Sequence, residues 1–247
     1  FILTMMIEEG MSFEEALKIA QEKGYAEKDP TADVEGHDAC RKVCILASLA
    51  FGKHVYPNQV ETEGITNISL EDVSYIENAG GVIKLLGQIK YINDNEIAAF
   101  VSPAVVYNGS QLASVKDVFN AILVRGDAVG DVCFYGPGAG KLPTASAVVA
   151  DIIDCAKHSD RKKIFGWGEG SENYVVDYKE KIEMPFYVRA KATPNEVNSK
   201  FADVKFLSRK GQPSDEVAFI TDYMTENELN KKLDGMNVIN TIKVTNY

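Results

Sequence analysis

The chain has 247 residues, 45% hydrophobic and 25% charged, the balance of a globular protein. Its net charge of −10 argues against a nucleic-acid partner, which would need a basic face. No run of about 18 apolar residues suggests a membrane span, and the opening FILTMMIEEG lacks the basic lead and apolar length of a signal peptide.

Residues 1–9 read as the end of a helix stopped by Gly10. Ser12 and Glu15 then stand as N-cap and N3 of a second helix, a capping box. Gly24 marks its stop, and Asp29-Pro30 and Gly36 punctuate a loop. The apolar run Val43, Ile45, Leu46 and Leu49 predicts a helix over 37–51. Ser69 caps a further helix, broken by Gly80-Gly81. Two strand pairs follow: 82–92 with 96–105, turning at Asn93-Asp94-Asn95, and 119–125 with 129–135, turning at Gly126-Asp127. The predicted fold class is therefore α+β, a largely antiparallel sheet with helices on one face. Gly136-Pro-Gly-Ala-Gly140 leads into a helix over 145–155, the polar stretch 159–176 reads as a linker, and 184–247 alternates strands and helices as a second, smaller unit.

Four cysteines (Cys40, Cys44, Cys133 and Cys155) form no C-x-x-C, and the three histidines are scattered. No metal site is expected, and the thiols suit a reduced, cytoplasmic setting.

Residues 20–42, AQEKGYAEKDPTADVEGHDACRK, concentrate charge. Asp38 and Lys42 lie at i and i+4 on one helix face, a spacing that on its own describes an ordinary surface ion pair worth a few tenths of a kcal/mol. The loop changes the reading. Pro30 and Gly36 force the chain to fold back, which gathers Glu27, Asp33 and Asp38 around one ammonium. Such a site suits a small zwitterion, with carboxylates on its amino group and the lysine at its reactive oxygen.

Ala20, Gly24, Tyr25, Ala26, Asp29-Pro30, Asp33-Val34, Gly36, Asp38 and Lys42 match in register a signature of homoserine dehydrogenases, which the stretch resembles. The resemblance implies a catalytic pair at Lys42 and Asp38 and a homoserine pocket lined by Tyr25, Glu27 and Asp33. It implies NADP or NAD as cofactor, L-homoserine and L-aspartate 4-semialdehyde as substrate and product, a place in threonine, methionine and isoleucine biosynthesis, and a homodimer formed through the sheet. A Gly-rich loop before a helix N-terminus favours anions. GPGAGKLPTASAV is similar to the family's second conserved segment, which implies cofactor contacts at Gly136, Gly138, Ala139 and Gly140. It is not a Walker A loop, because Leu142 stands where Ser or Thr is required.

The family carries a Rossmann domain ahead of this region, and no Gly-rich fingerprint follows a strand here. The chain is thus expected to be a fragment lacking most of the cofactor domain, inactive alone. The expected layout is a catalytic and dimerisation region at 1–160, a linker at 161–183 and an ACT-like unit at 184–247. That last unit departs from its type: the segment Ala192–Asn198 is short where a full first helix is usual, which weakens the case for an effector loop. The rival is a non-catalytic dimeric amino-acid-sensing or assembly module.

Overall fold

A computed structural model describes residues 1–138, 140–161, 164 and 166–245. The N-terminal third is helical. α1 (Ile2–Glu9) ends on Gly10 at φ 64°, and α2 (Phe13–Glu22) starts from the Ser12–Glu15 capping box. The single turn α3 (Thr31–Val34) precedes α4 (His37–Phe51). The short strand β1 (Glu61–Thr62) and α5 (Leu70–Asn78) follow.

β2 (Gly81–Asn93) and β3 (Glu96–Tyr107) form the long antiparallel hairpin that alternation and the Asn-Asp-Asn turn predict. α4 packs Cys40, Val43, Cys44 and Ala47 on Ile97, Ala99 and Val101 of β3. α1, α2 and α5 cover the same side through Met6, Ala16, Ala20, Val73 and Ile76. Each of the larger of these side chains (Met6, Val43, Val73, Ile76, Ile97 and Val101) contributes about 1.5–3 kcal/mol by leaving water.

The second strand pair departs from the expected single sheet. β4 (Phe119–Gly126) and β5 (Gly130–Pro137) make a separate two-stranded sheet. Its Ala121 and Leu123 pack on Val106, Leu112, Val82 and Leu86. α6 (Lys141–Lys157) starts a turn earlier than the sequence predicts. Pro143 occupies its first turn, where the missing N–H would have had no partner.

The stretch 166–176 is packed rather than loose. His54 N–H donates to the Gly168 carbonyl (2.8 Å) and Ile97 N–H to the Tyr174 carbonyl (3.0 Å), with Tyr174 buried. After α7 (Tyr178–Lys181) come β6 (Phe186–Lys191), α8 (Pro194–Lys200), β7 (Val204–Leu207), β8 (Val217–Thr221), α9 (Glu226–Leu233) and β9 (Asn237–Thr245). The strand order β9-β6-β8-β7 with helices after the first and third strands is the ferredoxin-like arrangement. These strands do not form a sheet of their own. β9 pairs in parallel with β3, Ala104 opposite Lys243, so one seven-stranded mixed sheet runs through the described residues. Its second face carries α7, α8 and α9 on Phe100, Phe186, Val188 and Phe219. No helix of the described residues is long and apolar enough to cross a membrane.

Candidate functional site

The site begins at a turn. Asp29 accepts from the Thr31 backbone N–H (3.2 Å) and hydroxyl (2.6 Å), which holds its carboxyl below the usual range and starts α3. The Pro30 carbonyl closes the turn through the N–H groups of Asp33 (2.9 Å) and Val34 (3.0 Å). Gly36, at φ 76°, reverses the chain into α4, a conformation that a β-carbon would strain. Asp33 therefore sits one short turn from the α4 N-terminus, where Asp38 lies in the first helical turn.

Lys42 Nζ is 2.6 Å from Asp38 Oδ2, and both side chains stay open to solvent, at 63% and 47% exposure. Taken alone, that is a surface pair. Its surroundings are not those of a surface pair. Tyr25, Asp33, Asp38 and Lys42 all line one cavity of about 420 Å³. The Asp33 carboxyl is pushed up, first by burial and then by the negative charges of Asp38 and Glu27, while Lys42 pulls it back. Asp38 and Glu27 are thus both within electrostatic reach of Asp33. Glu27 is at the rim: it is not part of the cavity wall, and its carbonyl accepts from the Gln21 side-chain amide at 3.0 Å. Tyr25 is half-exposed and packs edge-on against Phe1 at 5.1 Å.

The glycine loop divides. Gly138 lines the same cavity, its N–H donating to the Val118 carbonyl at 3.3 Å. Gly140 holds φ 109° as the N-cap of α6, and no side chain caps that helix. Gly136 belongs to β5, opposite Asn120, with open space above its Cα. Ala139 lies outside the described residues. An uncapped helix N-terminus of this kind favours an anion. Among the described residues no cluster of His, Cys, Asp and Glu fits a metal ion.

Three further charged residues line the cavity and escaped the sequence reading: Lys84, Lys116 and Asp117. Lys84, on β2, donates to the Val115 carbonyl. Burial, and then the charge of Lys116, lower its pKa. Lys116 pairs with Glu8. Asp117 is in the left-handed region, φ 54°, without being glycine. No local pattern marks them. They reach the cavity only because the crossover 115–118 passes over β2.

A family model described as homoserine dehydrogenase matches residues 1–153. The homoserine dehydrogenase of Bacillus subtilis is 46% identical over 158 residues, which are 64% of this chain and 36% of that protein. The matched stretch therefore covers about a third of the length of such relatives. A solved homoserine dehydrogenase from Thiobacillus denitrificans superposes with a TM-score of 0.85 at 32% identity, over 100% of this chain and 61% of that one. A hyperthermophilic archaeal homoserine dehydrogenase in complex with NADPH superposes with a TM-score of 0.51 at 31% identity, over 64% of this chain and 44% of that one. With the signature at 20–42 folded around one cavity and the family model covering residues 1–153, the chain belongs to the homoserine dehydrogenase family.

Proposed function

We propose that the whole protein interconverts L-homoserine and L-aspartate 4-semialdehyde with NAD or NADP, from a cytoplasmic location. The observation that carries this reading is the Lys42–Asp38 pair opening onto the cavity that Asp33 and Gly138 also line. Asp33, with Glu27 at the rim, takes the substrate ammonium, and Tyr25 walls the pocket. Lys42 meets the hydroxyl oxygen. Asp38, 2.6 Å from Nζ, fixes its position. Lys42 takes part in passing the hydroxyl proton to solvent and stabilises the alkoxide charge so formed, which is discharged as the carbinol hydrogen leaves with its electron pair. The dinucleotide, when bound, supplies the hydride acceptor. Gly136, Gly138, Ala139 and Gly140 would hold it, as the uncapped α6 N-terminus supports and as an archaeal relative solved with NADPH supports.

Residues 184–247 are read as an ACT-like unit, on the strength of the strand order β9-β6-β8-β7. Residues 1–160 are read as the catalytic and dimerisation region and 161–183 as the connection. A homodimer is read from the uncovered apolar face of the β4–β5 sheet, with Ile122, Val124 and Phe134 exposed.

The test is Lys42→Ala in the whole protein, followed by steady-state kinetics and circular dichroism. The expected loss in kcat is about 10²–10⁴-fold, with a smaller change in KM. Arg41→Ala, on another side of α4, should leave kcat near normal. A folded Lys42→Ala protein with near-normal kcat would return the pair to an ordinary surface contact.

A further inference from the structure

β1 and β9 lie end to end along one edge of β3. Glu61 and Thr62 pair with Phe100 and Val101, and Lys243 pairs with Ala104. Glu63 N–H extends the first pairing by donating to the Val101 carbonyl at 2.8 Å. The junction between the two strands is closed by charge. Lys243 is 5% exposed, and its Nζ stands 3.1 Å from Glu63 Oε2 and 3.3 Å from Glu226 Oε2, over the Tyr178 ring at 5.4 Å. Tyr178 donates to Glu226 at 2.9 Å, and Lys179 pairs with Glu61. Removing a carboxylate from a lysine this enclosed is costly, because it leaves a buried charge without its partner.

The residues after Glu63 are pressed against the substrate turn. A β-carbon on Gly64 would stand 2.4 Å from the Val34 carbonyl oxygen and 2.6 Å from Glu35 Cα. Ile65 N–H donates to the Val34 carbonyl (2.8 Å), and the Thr66 hydroxyl to Glu35 (3.2 Å). On the other side of the turn, a β-carbon on Gly36 would be 3.1 Å from the Thr62 methyl. Residues 62–66 are therefore the bed on which Asp33 and the start of α4 rest, and Lys243 fixes that bed from the C-terminal strand.

We propose that Lys243 is a positioning residue for the homoserine pocket: through Glu63 and residues 62–66 it sets the placement of Asp33 and Asp38. The inference rests on the homoserine reading given above. It makes the C-terminal unit a structural part of the substrate site through a defined ion pair, independent of any effector. Small misplacements of binding groups are costly, so the effect falls on the amino-acid substrate and not on the dinucleotide.

The experiment uses the whole protein and compares Lys243→Met, Lys243→Arg, Glu63→Gln and the double variant Lys243→Met/Glu63→Gln. Lys243→Met and Glu63→Gln are each expected to raise KM for homoserine about tenfold, with kcat within about threefold and KM for the dinucleotide unchanged. Lys243→Arg should restore most of the affinity. The double variant should be no worse than the worse single one, the non-additivity of a shared interaction. Glu63 is half-exposed, so Glu63→Gln carries the test if Lys243→Met fails to fold. A lower melting temperature with unchanged homoserine KM in Glu63→Gln would overturn the proposal. Lys42→Ala, assayed in parallel, separates the two failures: normal activity there sinks the homoserine reading itself, whereas an inactive Lys42→Ala beside an unaffected Glu63→Gln sinks only the role of Lys243.

Discussion

The side-chain amide of Asn120 occupies the space that a β-carbon on Gly138 would need, 1.9 Å away. Asn120 also donates weakly to the Val118 carbonyl at 3.4 Å, so the crossover, β4 and the glycine loop meet at one point. Gly138→Ala should push Asn120 aside and displace the loop that leads to α6. In the whole protein the expected result is a rise of about tenfold in KM for the dinucleotide, equivalent to about 1.4 kcal/mol. The homoserine KM should stay within twofold. A Gly138→Ala enzyme with unchanged dinucleotide KM would remove the loop from the cofactor site.

Asp33 gives a pH prediction with a definite sign. Burial and the charges of Asp38 and Glu27 raise its pKa. The folded state therefore binds the Asp33 proton more tightly than the unfolded chain does. Stability from this group falls as pH rises from the ordinary Asp range, about 3.9, through the raised folded value, and stays lower above it. Asp33→Asn should raise the melting temperature near neutral pH, and the gain should fade as pH drops below the ordinary carboxylate range. The same variant should weaken homoserine binding, since a substrate ammonium loses its acceptor. Equal melting temperatures for the two proteins at neutral pH would contradict the strain assigned to this carboxylate.

What was legible in the sequence was local. The 37–51 helix emerged because Val43, Ile45, Leu46 and Leu49 repeat at helical spacing between Gly36 and Gly52, and its bounds match α4. The capping box at Ser12 and the cap at Ser69 mark α2 and α5 for the same reason, since residues within one turn decide them. The joining of β3 to β9 was not legible. It depends on pairing Ala104 with Lys243, and nothing in either strand names its partner. The cavity divides in the same way: Asp38 and Lys42 share a helix turn, whereas Lys84 and Asp117 meet only through the crossover from the sheet to β4.

Asp72 is fully buried and ties three parts of the fold together. It accepts from the Tyr187 hydroxyl (3.0 Å), from Asn240 (2.8 Å) and from the Ser69 N–H (3.1 Å), with Arg189 at 3.4 Å. Asp72→Ala leaves Arg189, itself buried, without its nearest carboxylate. The expected cost is about 3–5 kcal/mol, read from the shift of the denaturation midpoint. Tyr187→Phe removes one bond while Asp72 keeps the others, so about 0.5–1.5 kcal/mol is expected. If Asp72→Ala costs no more than Tyr187→Phe, the carboxylate is not the centre of this network.

The last prediction concerns the two faces of the β4–β5 sheet. Cross-strand pairing sets Ala121 opposite Tyr135 and Leu123 opposite Cys133 on one face, and Ile122 opposite Phe134 and Val124 opposite Val132 on the other. Ala121 and Leu123 pack on the main sheet. Among the described residues the other face meets nothing comparable: Ile122 is 43% exposed, Val124 49% and Phe134 62%. A contiguous apolar face of this kind on a strand pair is a site for association, and a two-stranded sheet is marginal without further cover. If that cover is a second copy, the chain should sediment as a dimer at micromolar concentration. Phe134→Lys should then shift it to monomer without changing the circular dichroism spectrum, because the side chain contributes little to the protomer's own core. Leu123→Lys serves as the contrast, since it faces inward and should lower stability in monomer and dimer alike. Wild-type chain that remains monomeric at high concentration, or Phe134→Lys that remains dimeric, would move the interface elsewhere.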